Sequence, residues 1–336
     1  MASLPFGSTA SVDCNQLLVE TNGSTQTLIL NRPKQLNALS STMIKELLRC
    51  FIAYEKDDGV KLLIMKGKGR AFCAGGDAAG WKWGANFCRN LYLLNYIIAI
   101  CIKHQVSLIT GIVMGGGTGV SLHGRFRVAT EKTIFAMPET TLGLFPDVGG
   151  SYFLSRLPGF YGEYVALAGA RSDGAEMLAC GLATHFVHSN NPFIVCGIID
   201  QFSEQPSPKE NSSLNRLEII NKCFSKRTVE EIISSLEQVA SNLPDEWVDA
   251  TIQSLKNASP TSLKISLRSI REGRTQTVGE CLHWEYRMVC HWMPPRLEQV
   301  HNESVQQYFS TIDDPRWEEL NLPTRHSHGR NIKSKL

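Results

Sequence analysis

The run VKLLIMKG (60–67) is almost continuously apolar and is bounded by glycines. It lacks the apolar–polar alternation of a half-exposed strand and fits a strand buried on both faces, as in a parallel sheet covered by helices. QVSLITGIVM (105–114) repeats that character and runs into Gly115-Gly116-Gly117, and FRVATEKTIFAM (126–137) reads as a third strand region. Before them, TQTLILNR (25–32) reads as a strand ending at Pro33. Ser40 or Ser41 can then cap a helix in which Met43, Ile44, Leu47, Leu48, Phe51 and Ile52 recur at helical spacing. This order of strands, helices and glycine loops predicts an α/β domain with crossover connections.

The character changes near residue 190. SEQPSPKENSS (203–213) is linker-like, and the chain beyond it is mostly helical. Thr228 and Glu231 form a capping box before EIISSLEQV, and PDEWVDATIQSLKNAS and SPTSLKISLRSIREG read as amphipathic helices. The expected division is an α/β core over 11–190, a helical region over 191–320 and a tail over 321–336. A net charge of +2 argues against a nucleic-acid binder. The longest apolar run, YIIAICI (96–102), is too short to span a bilayer, so no membrane segment is expected. The ten cysteines show no CxxC pair and no metal-ligand rhythm, so no metal site is expected. Cys50, Cys101 and Cys223 read as reduced core residues. The first residues lack the basic and apolar regions of a secretory signal. Ser334-Lys335-Leu336 spells the peroxisomal address, so an import receptor is an expected partner and the peroxisome the expected location.

Three features at strand ends combine glycine with groups able to do chemistry: RAFCAGGD (70–77), GIVMGGGTG (111–119) and FAMPETTLGLFPDVGG (135–150). Glycines that open a helix leave backbone N–H groups pointing outward. Two such donors and a carboxylate are what acyl chemistry needs, the donors to hold an oxyanion and the acid to move a proton or activate water. Glu139 and Asp147, each directly after a proline, are the candidate acids. Simpler roles stay open from the residues alone: a tight turn at Gly75-Gly76, a close helix–strand contact at the glycine triplet, a helix cap at Asp147, and a first-turn acid at Glu139. Cys73 reads as a small core residue, and His123 and His185 as satisfied structural histidines. Trp81 and Trp83 read as packing residues.

Taken in order, NRPKQLNAL (31–39), GRAFCAGGD, GIVMGGGTGVSLHGRFRVAT and FAMPETTLGLFPDVGG closely resemble the crotonase (enoyl-CoA hydratase/isomerase) superfamily, and within it the plant-type 3-hydroxyisobutyryl-CoA hydrolase branch. The resemblance continues through SYFLSRLPG and ACGLATHFV to about residue 293. It implies a crotonase-like (ββα)n spiral core with a helical C-terminal region. The implied reaction is thioester hydrolysis of an acyl-CoA, 3-hydroxyisobutyryl-CoA to 3-hydroxyisobutyrate and CoA, in valine breakdown. It assigns the oxyanion-hole amides to Gly76 and Gly116, the acid/base or nucleophile to Glu139, and a second substrate-contacting carboxylate to Asp147. It implies no metal or organic cofactor, CoA arriving as part of the substrate with its adenine end near the Phe72–Ala74 backbone. Homo-oligomers are common in the superfamily. Its hydratases carry a second glutamate where this chain has Gly119, which favours hydrolysis over hydration.

The chain also departs from the pattern. Leu91 stands where the hydrolases commonly carry glutamate. The segment after Asp77 and the join at HSNNP (188–192) are short, and PPRLEQV follows Met293 where the family has an EGxRAxLxDKD segment. These departures keep a second expectation alive, a non-catalytic crotonase-like scaffold. A hydratase or isomerase is a third.

Overall fold

A computed structural model describes residues 16–77, 84–190, 203–242, 245–292, 306, 308–312 and 319–323. Its strands form two sheets. The larger contains β1 (Leu17–Asn22), β2 (Thr25–Leu30), β3 (Leu62–Gly67), β5 (His104–Ile109), β7 (Phe126–Ala129) and β10 (His185–Phe186), side by side in that order. The smaller contains β4 (Ala71–Cys73), β6 (Ile112–Met114), β8 (Ile134–Ala136) and β9 (Arg171–Asp173). From β2 to β10 the larger sheet is parallel, with β1 antiparallel at its edge.

Two of the apolar runs therefore resolve into two strands each. QVSLITGIVM becomes β5 and β6, and FRVATEKTIFAM becomes β7 and β8, with one member of each pair in each sheet. The break in the first falls at Gly111, whose φ is +78° and where an added Cβ would lie 2.1 Å from the Arg70 carbonyl oxygen. In the second, Thr133 Oγ1 accepts from the Thr130 N–H at 2.8 Å and donates to the Ile109 carbonyl at 2.5 Å, folding the turn back on β5. The chain changes sheet inside an apolar run because both sheets need apolar strands, so composition does not mark the crossing.

Burial on both faces follows the strand alternation. Leu63 and Met65 join the main core, while Ile64 joins Val106, Leu108, Val128 and Val187 in a second cluster. Helix α1 (Ser41–Lys56) begins at Ser40, whose Oγ accepts from the Met43 N–H at 3.1 Å. It buries Met43, Ile44, Leu47, Leu48 and Phe51, at about 1.5–3 kcal/mol for each such side chain. Cys50 and Cys223 are buried free thiols as expected, whereas Cys101 is half-buried.

Helices α2 (Gly84–Ile100), α3 (Gly116–Leu122), α4 (Gly150–Leu154), α5 (Tyr161–Ala168) and α6 (Gly174–Ala179) complete the α/β part. Beyond the irregular stretch after residue 203 come α7 (Leu217–Phe224), α8 (Val229–Asn242), α9 (Glu246–Asn257), α10 (Pro260–Gly273) and α11 (Val278–Trp292). The capping box before α8 is present: the Glu231 N–H donates to Thr228 Oγ1 and the Thr228 N–H to Glu231 Oε2, both at 3.2 Å. These helices pack onto the α/β part. Glu163 of α5, fully buried, pairs with Arg274 at 2.6 Å just after α10. The Arg274 end is solvent-exposed, and Arg271 lies 3.8 Å from the same carboxylate, so two cations share the buried acid. Tyr92 of α2 meets Tyr286 of α11 edge-on at 6.3 Å, and one turn on, Tyr96 lies against Gly279. The two helices therefore run antiparallel, and α11 reaches the strand ends that carry the glycine motifs. Among the described residues, no helix is long and apolar enough to cross a membrane.

Candidate active site

The first motif supports the second. In NRPKQLNAL, Asn37 has a left-handed φ of 57°, which asparagine adopts more readily than most residues. Its amide nitrogen donates to the Lys68 and Ala71 carbonyls at 3.0 and 2.8 Å. Arg32 Nη2 pairs with Asp77 at 2.7 Å. Leu39 and Gly76 form a parallel bridge: the Leu39 N–H donates to the Gly75 carbonyl at 2.8 Å, and the Asp77 N–H to the Leu39 carbonyl at 2.9 Å. Successive N–H groups of an extended chain point to opposite sides. The Gly76 N–H between them is thus turned away from Leu39.

Gly116 opens α3, so its N–H is one of the helix's orphan donors. An ideal Cβ on Gly116 would sit 3.2 Å from the Gly76 amide nitrogen. The two amides assigned to the oxyanion hole are therefore neighbours. Phe87 of α2 walls the other side, 3.4 Å from an ideal Cβ on Gly76. Of the Phe72–Ala74 backbone, Phe72 and Cys73 are fully buried, which leaves Ala74 as the more accessible part. The Cys73 thiol is pushed up to about 12 by burial, as befits a core residue and not a nucleophile.

Glu139 begins a 3-10 turn (Glu139–Leu142) just after β8. The turn is pinned by Thr140 Oγ1, which donates to the Leu167 carbonyl at 3.3 Å, and by the Leu144 N–H, which donates to the Glu139 carbonyl at 2.8 Å. The Glu139 carboxyl lies against Gly115: an ideal Cβ there would be 2.9 Å from Glu139 Oε1, so only glycine leaves room for it. Gly115 also has a φ of +48°. Glu139 is only 6% exposed, and its Oε2 has no hydrogen-bond partner among the described residues. Burial, then the charges of Asp147 and Glu285, hold its pKa well above the usual carboxylate range. A buried carboxylic acid with a raised pKa close to two backbone amides is the arrangement in which perturbed acids cluster at functional sites.

Asp147 is half-buried and accepts a hydrogen bond from Tyr92 Oη at 2.5 Å. Burial raises its pKa to about 6 against the lowering effect of that bond. It does not cap the helix that follows. The residue before α4 is Gly149, and α4's amides are met instead by Glu285 of α11: the Gly149 N–H donates to Glu285 Oε2 at 2.6 Å, and the Ser151 N–H and Oγ to Oε1 at 3.0 and 2.6 Å. Burial pushes the Glu285 carboxyl up to about 8. His123 is the structural histidine expected, Nε2 donating to the Val148 carbonyl at 2.8 Å. The structure thus brings Gly76, Gly116, Glu139 and Asp147 together and adds Tyr92 and Glu285. No local pattern links residue 285 to residue 149, so sequence reasoning had no signal for it.

At Gly119, the hydratase glutamate position, the space is filled. An ideal Cβ would lie 2.6 Å from Val148 Cβ and 2.8 Å from Asn95 Nδ2. Leu91 is 3% exposed and packs in the core beside Tyr92. Trp81, Trp83, the short segment after Asp77, Asn191 and Pro192 of the short HSNNP join, the PPRLEQV segment and Ser334-Lys335-Leu336 lie outside the described residues. Among the described residues no group of His, Cys, Asp or Glu has the arrangement of a metal site.

Residues 25–322 match the family model for enoyl-CoA hydratase/isomerase, and the chain belongs to that family. It is 53% identical to 3-hydroxyisobutyryl-CoA hydrolase 1 of Arabidopsis thaliana over 363 aligned positions, covering 93% of this chain and 96% of that protein. That alignment is longer than the 336-residue chain, so the chain carries gaps relative to this relative. It is also 38% identical to the small ribosomal subunit protein mS47 of Arabidopsis thaliana, over 96% of this chain and 92% of that one. The crystal structure of a carnitinyl-CoA dehydratase from Mycobacterium thermoresistibile superposes with a TM-score of 0.84 at 30% identity, covering 92% of this chain and 99% of that one.

Proposed function

We propose that this chain hydrolyses acyl-CoA thioesters and that its substrate is 3-hydroxyisobutyryl-CoA, giving 3-hydroxyisobutyrate and CoA, the reaction valine breakdown requires. The observation that carries the reading is the unpartnered Glu139 carboxyl set against Gly115, next to the neighbouring Gly76 and Gly116 amides. In this reading the thioester carbonyl oxygen lies between those two N–H groups, which stabilise the charge that develops on it. Glu139, as its carboxylate, either takes a proton from the water that attacks the carbonyl carbon, or attacks that carbon itself to give a mixed anhydride that water then opens. In both routes CoA leaves as a thiolate that takes up a proton, and 3-hydroxyisobutyrate is released. Asp147, held by Tyr92, is the polar group left to meet a substrate hydroxyl, because Leu91 is apolar and buried. Hydration is disfavoured by the filled space at Gly119. No cofactor enters the scheme; CoA is part of the substrate.

The test is thiol release from 3-hydroxyisobutyryl-CoA beside hydroxyl-free isobutyryl-CoA. Turnover of the first is expected, nearly abolished by Glu139→Gln. No thiol release from a panel of short acyl-CoAs by folded protein overturns the reading. Equal rates on the two substrates show that the site no longer selects the hydroxyl.

A second reading, a non-catalytic scaffold, draws on the similarity to mS47 and on Leu91. It requires a stable partner in pull-downs and no turnover, and it leaves the joint presence of Gly76, Gly116, Glu139 and Asp147 without a purpose. A peroxisomal location, through an import receptor recognising Ser334-Lys335-Leu336, is part of the proposal. A fluorescent fusion that stays outside peroxisomes with this tripeptide intact overturns it. Homo-oligomerisation is proposed on family grounds and is read by light scattering.

A further inference from the structure

We propose that Glu285 is a positioning residue for Asp147: it supplies the acceptors that helix α4 needs, so that Asp147 is free to face the substrate. The inference rests on the role given to Asp147 above. Asp147 lies two residues before Gly149, the residue that caps α4, and a carboxylate this close to a helix start can turn onto the free amides there. Here that would take Asp147 out of the site. Instead its Oδ2 accepts from Tyr92 Oη at 2.5 Å, while the Gly149 N–H, Ser151 N–H and Ser151 Oγ go to Glu285 at 2.6, 3.0 and 2.6 Å. The substitute cap comes from α11, more than 130 positions away, and it is fully buried.

The backbone shows what this arrangement holds in place. Val148 has a φ of 55°, a left-handed conformation that a β-branched side chain strongly resists. Gly149 follows at +83°. A residue in such a region costs about 1–3 kcal/mol and persists only where its surroundings over-determine it. The surroundings are Glu285 on the amides, His123 Nε2 on the Val148 carbonyl at 2.8 Å, and the Gly150 N–H on the Asp147 carbonyl at 2.8 Å. Without the Glu285 carboxyl, three buried donors lose their acceptors. The carboxylate of Asp147, in the same loop, could take them only by leaving Tyr92. Glu285 touches no substrate in this arrangement and acts only through the loop.

The experiment is a double-mutant cycle in kcat, with Glu285→Ala and Asp147→Asn alone and together, and Glu285→Gln as the conservative variant. Glu285→Ala should lower kcat at least tenfold, Glu285→Gln should recover part of it, and Glu285→Ala should cost little further in the Asp147→Asn background. Losses that multiply independently overturn the inference, because they describe general destabilisation and not action through Asp147. If Glu285→Ala does not fold, Glu285→Gln and Ser151→Ala take its place in the cycle. A second readout needs no activity: hydrogen–deuterium exchange of a peptide covering 145–154 should quicken in the Glu285 variant while β3 and β5 stay protected. Unchanged exchange there also overturns the inference. Wild-type protein without thioesterase activity overturns the function and leaves the exchange measurement to decide Glu285.

Discussion

Gly76 and Gly116 reach the site through backbone alone: Gly76 on a segment held by a backbone bridge to Leu39, Gly116 in the first turn of α3. Asp147 is placed by long-range side-chain contacts, from Tyr92 on α2 and, through the loop, from His123 and Glu285. The donor side is built from short glycine motifs and is tightly packed at Gly116. The acid side is built from remote partners and depends on hydrogen bonds that single substitutions can remove. A site assembled in these two ways should fail differently according to which side is damaged.

The largest effect lies between the two sides. Glu139→Gln keeps the shape and removes the ionisable group, so kcat should fall by about 10²–10⁴-fold with KM little changed. Steady-state thiol release measures it, and a change in KM alone would contradict the assignment. On the donor side, Gly116→Ala places a methyl 3.2 Å from the Gly76 amide nitrogen. The variant keeps both N–H groups but crowds that of Gly76, so kcat should fall by up to about 10²–10³-fold, the cost of losing one oxyanion donor. On the acid side, Tyr92→Phe removes one hydrogen bond to a charged group, worth about 1.5–3 kcal/mol, or roughly one to two decades in kcat/KM. That bond lowers the Asp147 pKa, so its loss should also move the Asp147 limb of the pH–rate profile upward from about 6. A Gly116→Ala variant should leave that limb in place. An equal shift in both would erase the distinction between the two sides.

The smallest effect is on stability. Asp147 and Glu285 are raised on folding, to about 6 and about 8, and Glu139 is raised further. Between the ordinary carboxylate range and those values the folded state binds more protons than the unfolded, so stability falls as pH rises. The melting temperature should therefore rise by a few degrees as pH drops from 8 to 6.5. Below that, His123, held down at about 4 by burial, works in the opposite direction. Glu285→Gln should flatten the slope between 6.5 and 8, and a slope unchanged in that variant would place the protons elsewhere.

Legibility followed the range of the interactions. The Ser40 cap, the Thr228–Glu231 box and the glycine openings of the site are local, and each was readable from a few neighbouring residues. The family resemblance supplied the roles of Gly76, Gly116, Glu139 and Asp147, and the geometry gathers all of them at one place. The split of two apolar runs between two sheets was not readable, because Gly111 and the Thr130–Thr133 turn sit inside stretches whose composition does not change. The use of Asp147 as a cap was reasonable from local pattern and is not what the chain does, since the competing acceptor lies on α11. Tyr92 and Glu285 carry no local signal of their partners.

The packing at Gly119 bears on the mutational routes open to this fold. A glutamate placed there meets Val148 and Asn95 with no room for even its first carbon. Val148 is also the strained residue next to Asp147, and the Asn95 amide, oriented to donate, reaches the Gly119 and Leu91 carbonyls at 3.3 Å. Exchange of hydrolysis for hydration is therefore not a one-residue step. The space must be emptied first, and emptying it disturbs the loop that holds Asp147, so the intermediate sequences would lose the old activity before gaining the new. A change of chemistry at this position therefore needs at least a second substitution, and Val148, which fills the space a glutamate would need, is the residue that must give.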